Sequence, residues 1–338
     1  MPAEPRPRHI EPSAAAVARA FDLGTPVAAL DPVGRAWSHS VYRLPTERGE
    51  FAVKVMRDPW ASPRWRDWLA AAWEFERTAY AAGIAMPEPV PNPVDGGCVA
   101  VLHTGATVRV HRWVPGRPTP TEPVGPLVAA WVGRTLAALH GLAVQPRNPS
   151  VFPVVDTDNV EAWAGLVAAA RGMGMPWTAG LVDCTDTVEA IADLALAARA
   201  RSEATVMSHN DVDQKNLVLT TAGPVLCDWD VAAPAVPRRE LADVALSMGD
   251  WSNAVVARMV VRSYEEQRGW PGDFEPSDLG PTLLSSVDWL TFNVERALGR
   301  RGREPTVIAL GRDLVPGLLA ALPRQLGVAL RVEEFLGP

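Results

Sequence analysis

Residues 208 to 230, Ser-His-Asn-Asp-Val-Asp-Gln-Lys-Asn-Leu-Val-Leu-Thr-Thr-Ala-Gly-Pro-Val-Leu-Cys-Asp-Trp-Asp, hold carboxylates, an amide and a lysine at spacings that suit phosphoryl transfer. Asp211 follows His209 by two residues, and Asn216 follows Asp211 by five. In that arrangement the aspartate takes a hydroxyl proton and the asparagine helps to hold Mg²⁺. Asp228 and Asp230 end a short apolar run, Pro224 to Cys227, so a stiff strand would deliver a second metal-binding carboxylate, Asp228, with Asp230 as a helper at the metal. Lysine usage points the same way. Of 32 Lys and Arg residues only Lys54 and Lys215 are lysines. Lys215 lies inside the loop. Lys54 lies in the alternating stretch Phe51-Ala52-Val53-Lys54-Val55, where a compact ammonium would act as a point charge against the α- and β-phosphates of a nucleotide.

Such residues need a scaffold. Ser13 to Phe21 is expected as a short helix with Ser13 as its N-cap. Val41 to Leu44 and Phe51 to Met56 flank the turn at Arg48-Gly49-Glu50, and Cys98 to His103 and Val108 to Val114 flank Thr104-Gly105, which predicts a small antiparallel sheet. Between the hairpins, Trp65 to Ala82 has helical character and stops at Gly83. A glutamate of that helix is expected to pair with Lys54, and helical phase favours Glu76 over Glu74. After Val114-Pro115-Gly116-Arg117-Pro118 the pattern turns helical, through Val124 to Leu142, Val160 to Arg171, Thr187 to Ala200, Arg239 to Met248, Trp251 to Arg268, Leu283 to Leu298 and Thr306 to Leu322. The lobe boundary is expected at 113/114. Asp156, Asp158 and Glu161 read as a loop and a helix N-terminus, and Glu240 as an acid favouring the start of its helix.

At 338 residues the chain is long enough for two lobes. A net charge of -7 argues against nucleic acid as a partner, since a phosphate-tracking surface carries a Lys/Arg excess. Cys98, Cys184 and Cys227 lie far apart, without metal-ligand spacing and in an odd number, which fits a reducing cytoplasm. No apolar signal core opens the chain and no uninterrupted apolar run is long enough for a bilayer, so a cytoplasmic monomer or homodimer without a membrane partner is expected. Most of the thirteen tryptophans read as packing.

In this order the pieces resemble the aminoglycoside phosphotransferase and choline kinase group, small-molecule kinases with a two-lobed protein-kinase-like fold. The likeness runs from Trp37-Ser38-His39-Ser40-Val41-Tyr42-Arg43-Leu44, which looks like a nucleotide-covering hairpin, through Lys54, to Arg112-Trp113-Val114-Pro115-Gly116 as the hinge. It continues through Leu136-Ala137-Ala138-Leu139-His140, the catalytic segment, Asp228-Trp229-Asp230 and Glu240-Leu241-Ala242. The resemblance implies an α+β fold, with an antiparallel sheet plus one helix in the first lobe (1–113, hinge near 110–116) and a mainly helical second lobe (114–338). It also implies ATP or GTP with Mg²⁺ as cofactors: Lys54, Glu76, Ser38, Ser40, His111 and Val114 around the nucleotide, Asn216, Asp228 and Asp230 at the metal, and Asp211 and Lys215 in catalysis. The covering hairpin departs from the pattern, because only Gly34 precedes it, and Ser38 and Ser40 would substitute for glycine-loop amides. Asn210 stands where Gly is common after the His, and Asp213-Gln214-Lys215 where His-Pro-Gly is common; a Lys beside the Asn would neutralise charge on the transferring phosphoryl. His209 would brace the loop.

The acceptor implied is a small-molecule hydroxyl, and the resemblance favours an antibiotic inactivated by phosphorylation in a resistance setting. A metabolic kinase for choline, an amino alcohol, homoserine or a sugar shares every motif, and a nucleotide-binding pseudokinase is the non-enzymatic alternative. Asp250, Trp251, Trp289 and Asn293 combine ring faces with polar tips and are the residues expected to meet the acceptor, with the Asp156 to Trp177 stretch as the other location.

Overall fold

Alternation along three strands decides which side chains share a surface. In a computed structural model, which describes residues 12–35, 39–56, 64–120, 122–153 and 156–337, the chain forms two compact units. The first comprises the described residues up to Thr119 with Leu142–Phe152 and Met207–Pro234; the second comprises Pro120–Gly141, Pro153–Val206 and the chain from Ala235 onward. This differs from a single cut at 113/114, because the segment Met207–Pro234 belongs to the strand-rich unit.

That unit begins with α1 (Ala14–Ala20), whose N-cap Ser13 accepts from the Ala16 amide at 3.2 Å. Then follow β1 (Asp31–Arg35), β2 (His39–Thr46), β3 (Gly49–Met56), α2 (Trp65–Ala81), β4 (Pro89–Val90), β5 (Val99–Val101), β6 (Thr107–Arg112) and β7 (Arg117–Pro118). The main sheet is antiparallel in the order β1-β2-β3-β6-β4, with β5 also on β6. One face is apolar: Tyr42, Leu44, Phe51, Val53, Val108 and Val110 pack with Val17 and Phe21 of α1. Side chains one residue out of step must point to the opposite face. Lys54, Arg109 and His111 are those residues, and Lys54 and Arg109 are direct cross-strand partners. Helix α2 covers them and ends at Gly83, whose φ of 85° allows the Ile84 amide to return to the Ala79 carbonyl at 3.1 Å.

The remaining strands are β8 (Val206–Ser208), β9 (Leu217–Thr220), β10 (Gly223–Leu226) and β11 (Ala233–Ala235). Strands β9 and β10 form an antiparallel hairpin, β10 being the strand expected before Asp228, with β7 on the outer edge of β9.

The second unit is helical: α3 (Pro126–Gly141), α4 (Asp158–Glu161), α5 (Trp163–Gly172), α6 (Thr178–Asp183), α7 (Thr185–Ala200), α8 (Pro237–Met248), α9 (Ala254–Arg268), α10 (Gly280–Ala297), α11 (Pro305–Ala329) and α12 (Val332–Leu336). The single helix expected over Val160 to Arg171 is divided at Ala162, and Asp156 accepts from the Asp158 amide at 3.2 Å as a loop residue. Glu240 does more than favour a helix start. It is buried and accepts from His140 Nε2 at 2.7 Å, while His140 Nδ1 meets the Tyr264 hydroxyl at 2.9 Å, so the motifs of α3 and α8 are one hydrogen-bonded unit.

Helix α11 runs past the expected end at Leu322. Pro323 removes one backbone bond, but it is exposed, and Gly311, Val315, Leu319, Leu322, Leu326 and Ala329 form a continuous buried stripe at helical spacing. Among the described residues this is the one helix long and apolar enough to cross a membrane by length and composition. It is buried along one side only, where Gly311 lies against the Asn293 carbonyl of α10.

Close approach makes a glycine indispensable where α3 crosses α9. A Cβ at Gly133 would stand 2.2 Å from the Val260 carbonyl oxygen and 3.0 Å from the Tyr264 amide. Gly133→Ala is therefore expected to destabilise by about 1–3 kcal/mol, the cost of forcing packed backbones apart. Denaturant or thermal unfolding measures it, and an unchanged midpoint would mean that α3 and α9 do not cross so closely.

Candidate active site

The loop and turn that carry the catalytic motif are built by short-range hydrogen bonds. His209 donates from Nε2 to the Cys227 carbonyl at 3.0 Å and lies edge-on to Trp229, with ring centroids 4.7 Å apart. It braces the loop. Asn210 then takes a φ of 61°, a conformation Asn tolerates better than most residues. A 3-10 turn over Gln214–Asn216 is capped by Asp213, which accepts from the Lys215 amide at 3.0 Å.

That turn brings three expected residues together. Asn216 Nδ2 donates at 2.8 Å both to the Asp211 carbonyl and to Asp211 Oδ2, and Lys215 Nζ donates to Oδ1 at 2.9 Å. The Asp211 carboxylate is thus aimed from both sides while its side chain stays 31% exposed. Burial pushes Lys215 down, but Asp211 and Asp213 more than offset it, and its pKa is raised: it stays an ammonium.

The second cluster stands on β3, β6, α2 and the turn after β10. Asp228 adopts φ 66°, ψ 63°, which opens the 3-10 turn Trp229–Val231. Lys54 Nζ contacts Asp228 Oδ1 at 2.5 Å and Asp230 Oδ2 at 3.1 Å. Burial pushes the Asp228 carboxyl up, but Lys54 and His39 outweigh it and hold it well below the usual carboxylate range. His39 Nε2 is 3.6 Å from Asp228 Oδ2.

Here the structure corrects the expected ion pair. Glu76 does face inward, at 0% exposure, while Glu74 is solvated and meets Arg147. Its partner is not Lys54. Arg109 Nη2 bonds Glu76 Oε2, and His111 Nε2 takes Oε1 at 2.8 Å, so both oxygens are occupied. The physical reason is position on the sheet: Arg109 and His111 are two residues apart on one face of β6, under α2. The same contact redirects His111, expected near the nucleotide, onto the α2 carboxylate. Arg109 Nη1 also bonds Asp230 Oδ1, so each oxygen of Asp230 meets a cation. That fits a fixed anchor better than the metal ligand expected of Asp230.

Ser40 is buried, and its strand partner Val55 belongs with the apolar face, so its side chain lies opposite Lys54. His39, one residue earlier, is on the Lys54 face. Sequence reasoning missed it, because the face of His39 follows from the pairing of Val41 with Lys54, a register that the structure supplies. Ser38 lies outside the described residues. Val114 is half-buried in the extended segment between β6 and β7. In the helical unit Asn293 is fully buried, donating to the Trp289 carbonyl at 2.8 Å and accepting from Arg296 at 3.3 Å, and Trp251 is buried too. Asp250 and Trp289 are half-buried, so the four do not form one ligand-facing surface.

A divalent cation is compatible with these groups. Lys54 and Arg109 oppose three carboxylates, Glu76, Asp228 and Asp230, and the surplus negative charge falls at Asp228, the member whose side chain is 28% exposed. Ligand atoms of His39, Asp228 and Asp230 lie within 4.8 Å of one another. Both Asp230 oxygens already meet cations, so Asp228 is the carboxylate of this group with an oxygen to offer a hard ion.

A family model described as the phosphotransferase enzyme family (APH) matches residues 29–273. The chain belongs to that family. No curated protein matches the sequence. Among solved structures, spectinomycin phosphotransferase APH(9)-Ia, in complex with ADP and spectinomycin, is similar at a TM-score of 0.67 and 12% identity, over 94% of this chain and 100% of that one. Amicoumacin kinase hAmiN, in complex with AMP-PNP, Ca²⁺ and Ami, is similar at 0.60 and 12%, over 90% and 92%. A choline/ethanolamine kinase family protein from Mesorhizobium loti is similar at 0.54 and 18%, over 94% and 98%. The fold of this phosphotransferase is the two-lobed, kinase-like α+β fold, and its activity class is small-molecule phosphotransfer.

Proposed function

We propose that the protein transfers a phosphoryl group from Mg²⁺-bound ATP or GTP to a hydroxyl of an antibiotic. The observation that carries this is the Asp211 carboxylate held by Asn216 and Lys215, on the same folding unit as Lys54 and Asp228. Asp228 and Asn216 would hold the metal, which when bound neutralises charge on the phosphates. Lys54 leaves Asp228 for the α- and β-phosphates. Asp211 orients the acceptor hydroxyl and takes its proton, and Lys215 stabilises the transferring group. A loose transition state needs little covalent help, so alignment and charge supply most of the rate.

Spectinomycin and amicoumacin kinases among the similar structures support an antibiotic acceptor. The choline/ethanolamine kinase family neighbour favours a metabolic amino alcohol as the second reading. For the acceptor, the helical unit offers a cavity of about 500 Å³ lined by Asn159, Glu161, Leu166, Thr291 and Glu295. It lies along the Asp156 to Trp177 stretch and is lined about equally by polar and apolar surface; Glu161 and Glu295 would meet amino groups of an acceptor, with Arg300 as the one cation among the described residues of the lining. Purified protein with MgATP or MgGTP, screened against aminoglycoside, nucleoside and peptide antibiotics, amino alcohols and sugars, tests the reading by mass gain of one phosphoryl group. Transfer to none of these, with no nucleotide turnover, would sink it and leave a pseudokinase.

Lys54→Ala is expected to raise nucleotide KM and lower turnover together, by roughly 10²-fold in kcat/KM. Lys54→Arg recovers little, because a planar guanidinium replaces a point charge and stands opposite Arg109 on the same face. Steady-state kinetics at varied MgATP measures both, and an arginine variant within a few-fold of wild type would mean that charge alone suffices.

A further inference from the structure

We propose that Arg109 is a positioning residue that links helix α2 to the Asp228-Trp229-Asp230 turn, in the place expected for Lys54; this rests on the phosphotransfer reading above. Two cations directly opposite on neighbouring strands repel, and burying both without acids would be prohibitive. Lys54 and Arg109 are such a pair, and three carboxylates hold them. Their arrangement has a direction. Glu76 on α2 bonds Arg109, Arg109 bonds Asp230, Asp230 bonds Lys54, and Lys54 reaches Asp228. Arg109 is 0% exposed, with its guanidinium 5.6 Å from the Trp73 ring of α2, and its Nε has no partner among the described residues. The fork is therefore set by its two carboxylates. Only a planar fork with two terminal nitrogens can bridge them at once.

The consequence is a division of labour. Lys54 owes nothing to Glu76, so it is free to exchange Asp228 for phosphate without releasing α2. Helix α2 keeps the turn in place through Arg109, supplemented by the Trp68 indole, which donates to the Ala232 carbonyl at 3.0 Å, and by Phe75, whose ring is 6.1 Å from that of Trp229. These last contacts could dock α2 alone, so the test must separate docking from coupling.

Hydrogen exchange on the full-length protein without nucleotide is followed in α2 and in the turn after Asp228, for Glu76→Gln, Arg109→Lys, Arg109→Met and Lys54→Met. Exchange in the turn is expected to rise about tenfold in Glu76→Gln and both Arg109 variants; Lys54→Met, which removes contacts to Asp228 and Asp230 but none to Glu76, is expected to leave exchange in α2 near wild type. Kinetically, Arg109→Lys should lower kcat by about tenfold with nucleotide KM within about threefold, and Glu76→Gln combined with Arg109→Lys should be no worse than either alone. Lys54→Met combined with Glu76→Gln should multiply. If Arg109→Met does not fold, Arg109→Lys carries the test. Turn exchange unmoved by Glu76→Gln, wild-type kcat in Arg109→Lys, or non-additivity between Lys54 and Glu76 instead would overturn the proposal. Should the wild type transfer no phosphoryl group, the exchange data still decide on Arg109 while the functional reading falls.

Discussion

Titrating Asp228→Ala with MgATP in a calorimeter gives at best a trace of the wild-type isotherm, with affinity reduced by about 10²-fold or more. Asp228 is the open end of a charge cluster in which three carboxylates face two cations. Removing it leaves two against two, a neutral group with no surplus to attract a divalent ion. The loss is specific to the metal complex. Lys54 retains Asp230 at 3.1 Å, so the ammonium stays in place, and the turn keeps its contacts from Trp68 and Phe75. Nucleotide without metal should then bind the variant and the wild type with similar weakness. An unchanged MgATP isotherm would put the metal elsewhere and separate the Asp-Trp-Asp turn from metal binding.

The parts of this site that could be read from the sequence are those whose geometry is local. His209, Asp211, Lys215 and Asn216 lie within eight residues, and one 3-10 turn brings the last three together. Lys54 stood out because almost every other cation is Arg. Helical phase selected Glu76 correctly, since burial of α2 follows its own periodicity. Its partner was not legible. Arg109 lies 55 residues from Lys54, and only the register of β3 on β6 makes them neighbours. The alternation Val108-Arg109-Val110-His111 did show that Arg109 and His111 share a face, but not which face α2 covers. A similar one-residue ambiguity chose Ser40 over His39 on β2. In the helical unit, Asn293 and Trp251 had the composition of a ligand surface and the burial of a core, a distinction that depends on what packs around α10 and that no single-segment pattern contains.

Asp211→Asn is expected to lower kcat by about 10²-fold or more while nucleotide affinity stays near wild type. The substitution keeps shape and removes the ability to accept a proton. Loop geometry should survive it, because Asn216 Nδ2 also bonds the Asp211 backbone carbonyl at 2.8 Å and the Asp213 cap does not involve this side chain. The single amide oxygen can accept from Lys215 or from the Asn216 side chain but not from both; turned to Lys215, it leaves Asn216 with the backbone carbonyl alone. In the proposed function nucleotide binding would rest on Lys54 and Asp228, which bond each other and not Asp211, and on Asn216, whose bond to the Asp211 backbone carbonyl remains. The kinetic signature is therefore a fall in kcat with unchanged nucleotide KM, the mark of a group whose interaction matters in the transition state. Turnover close to wild type would remove Asp211 from the role of base. A matched rise in nucleotide KM would instead mean that Asp211 holds the loop in shape, and that alignment of the acceptor hydroxyl rests on other groups.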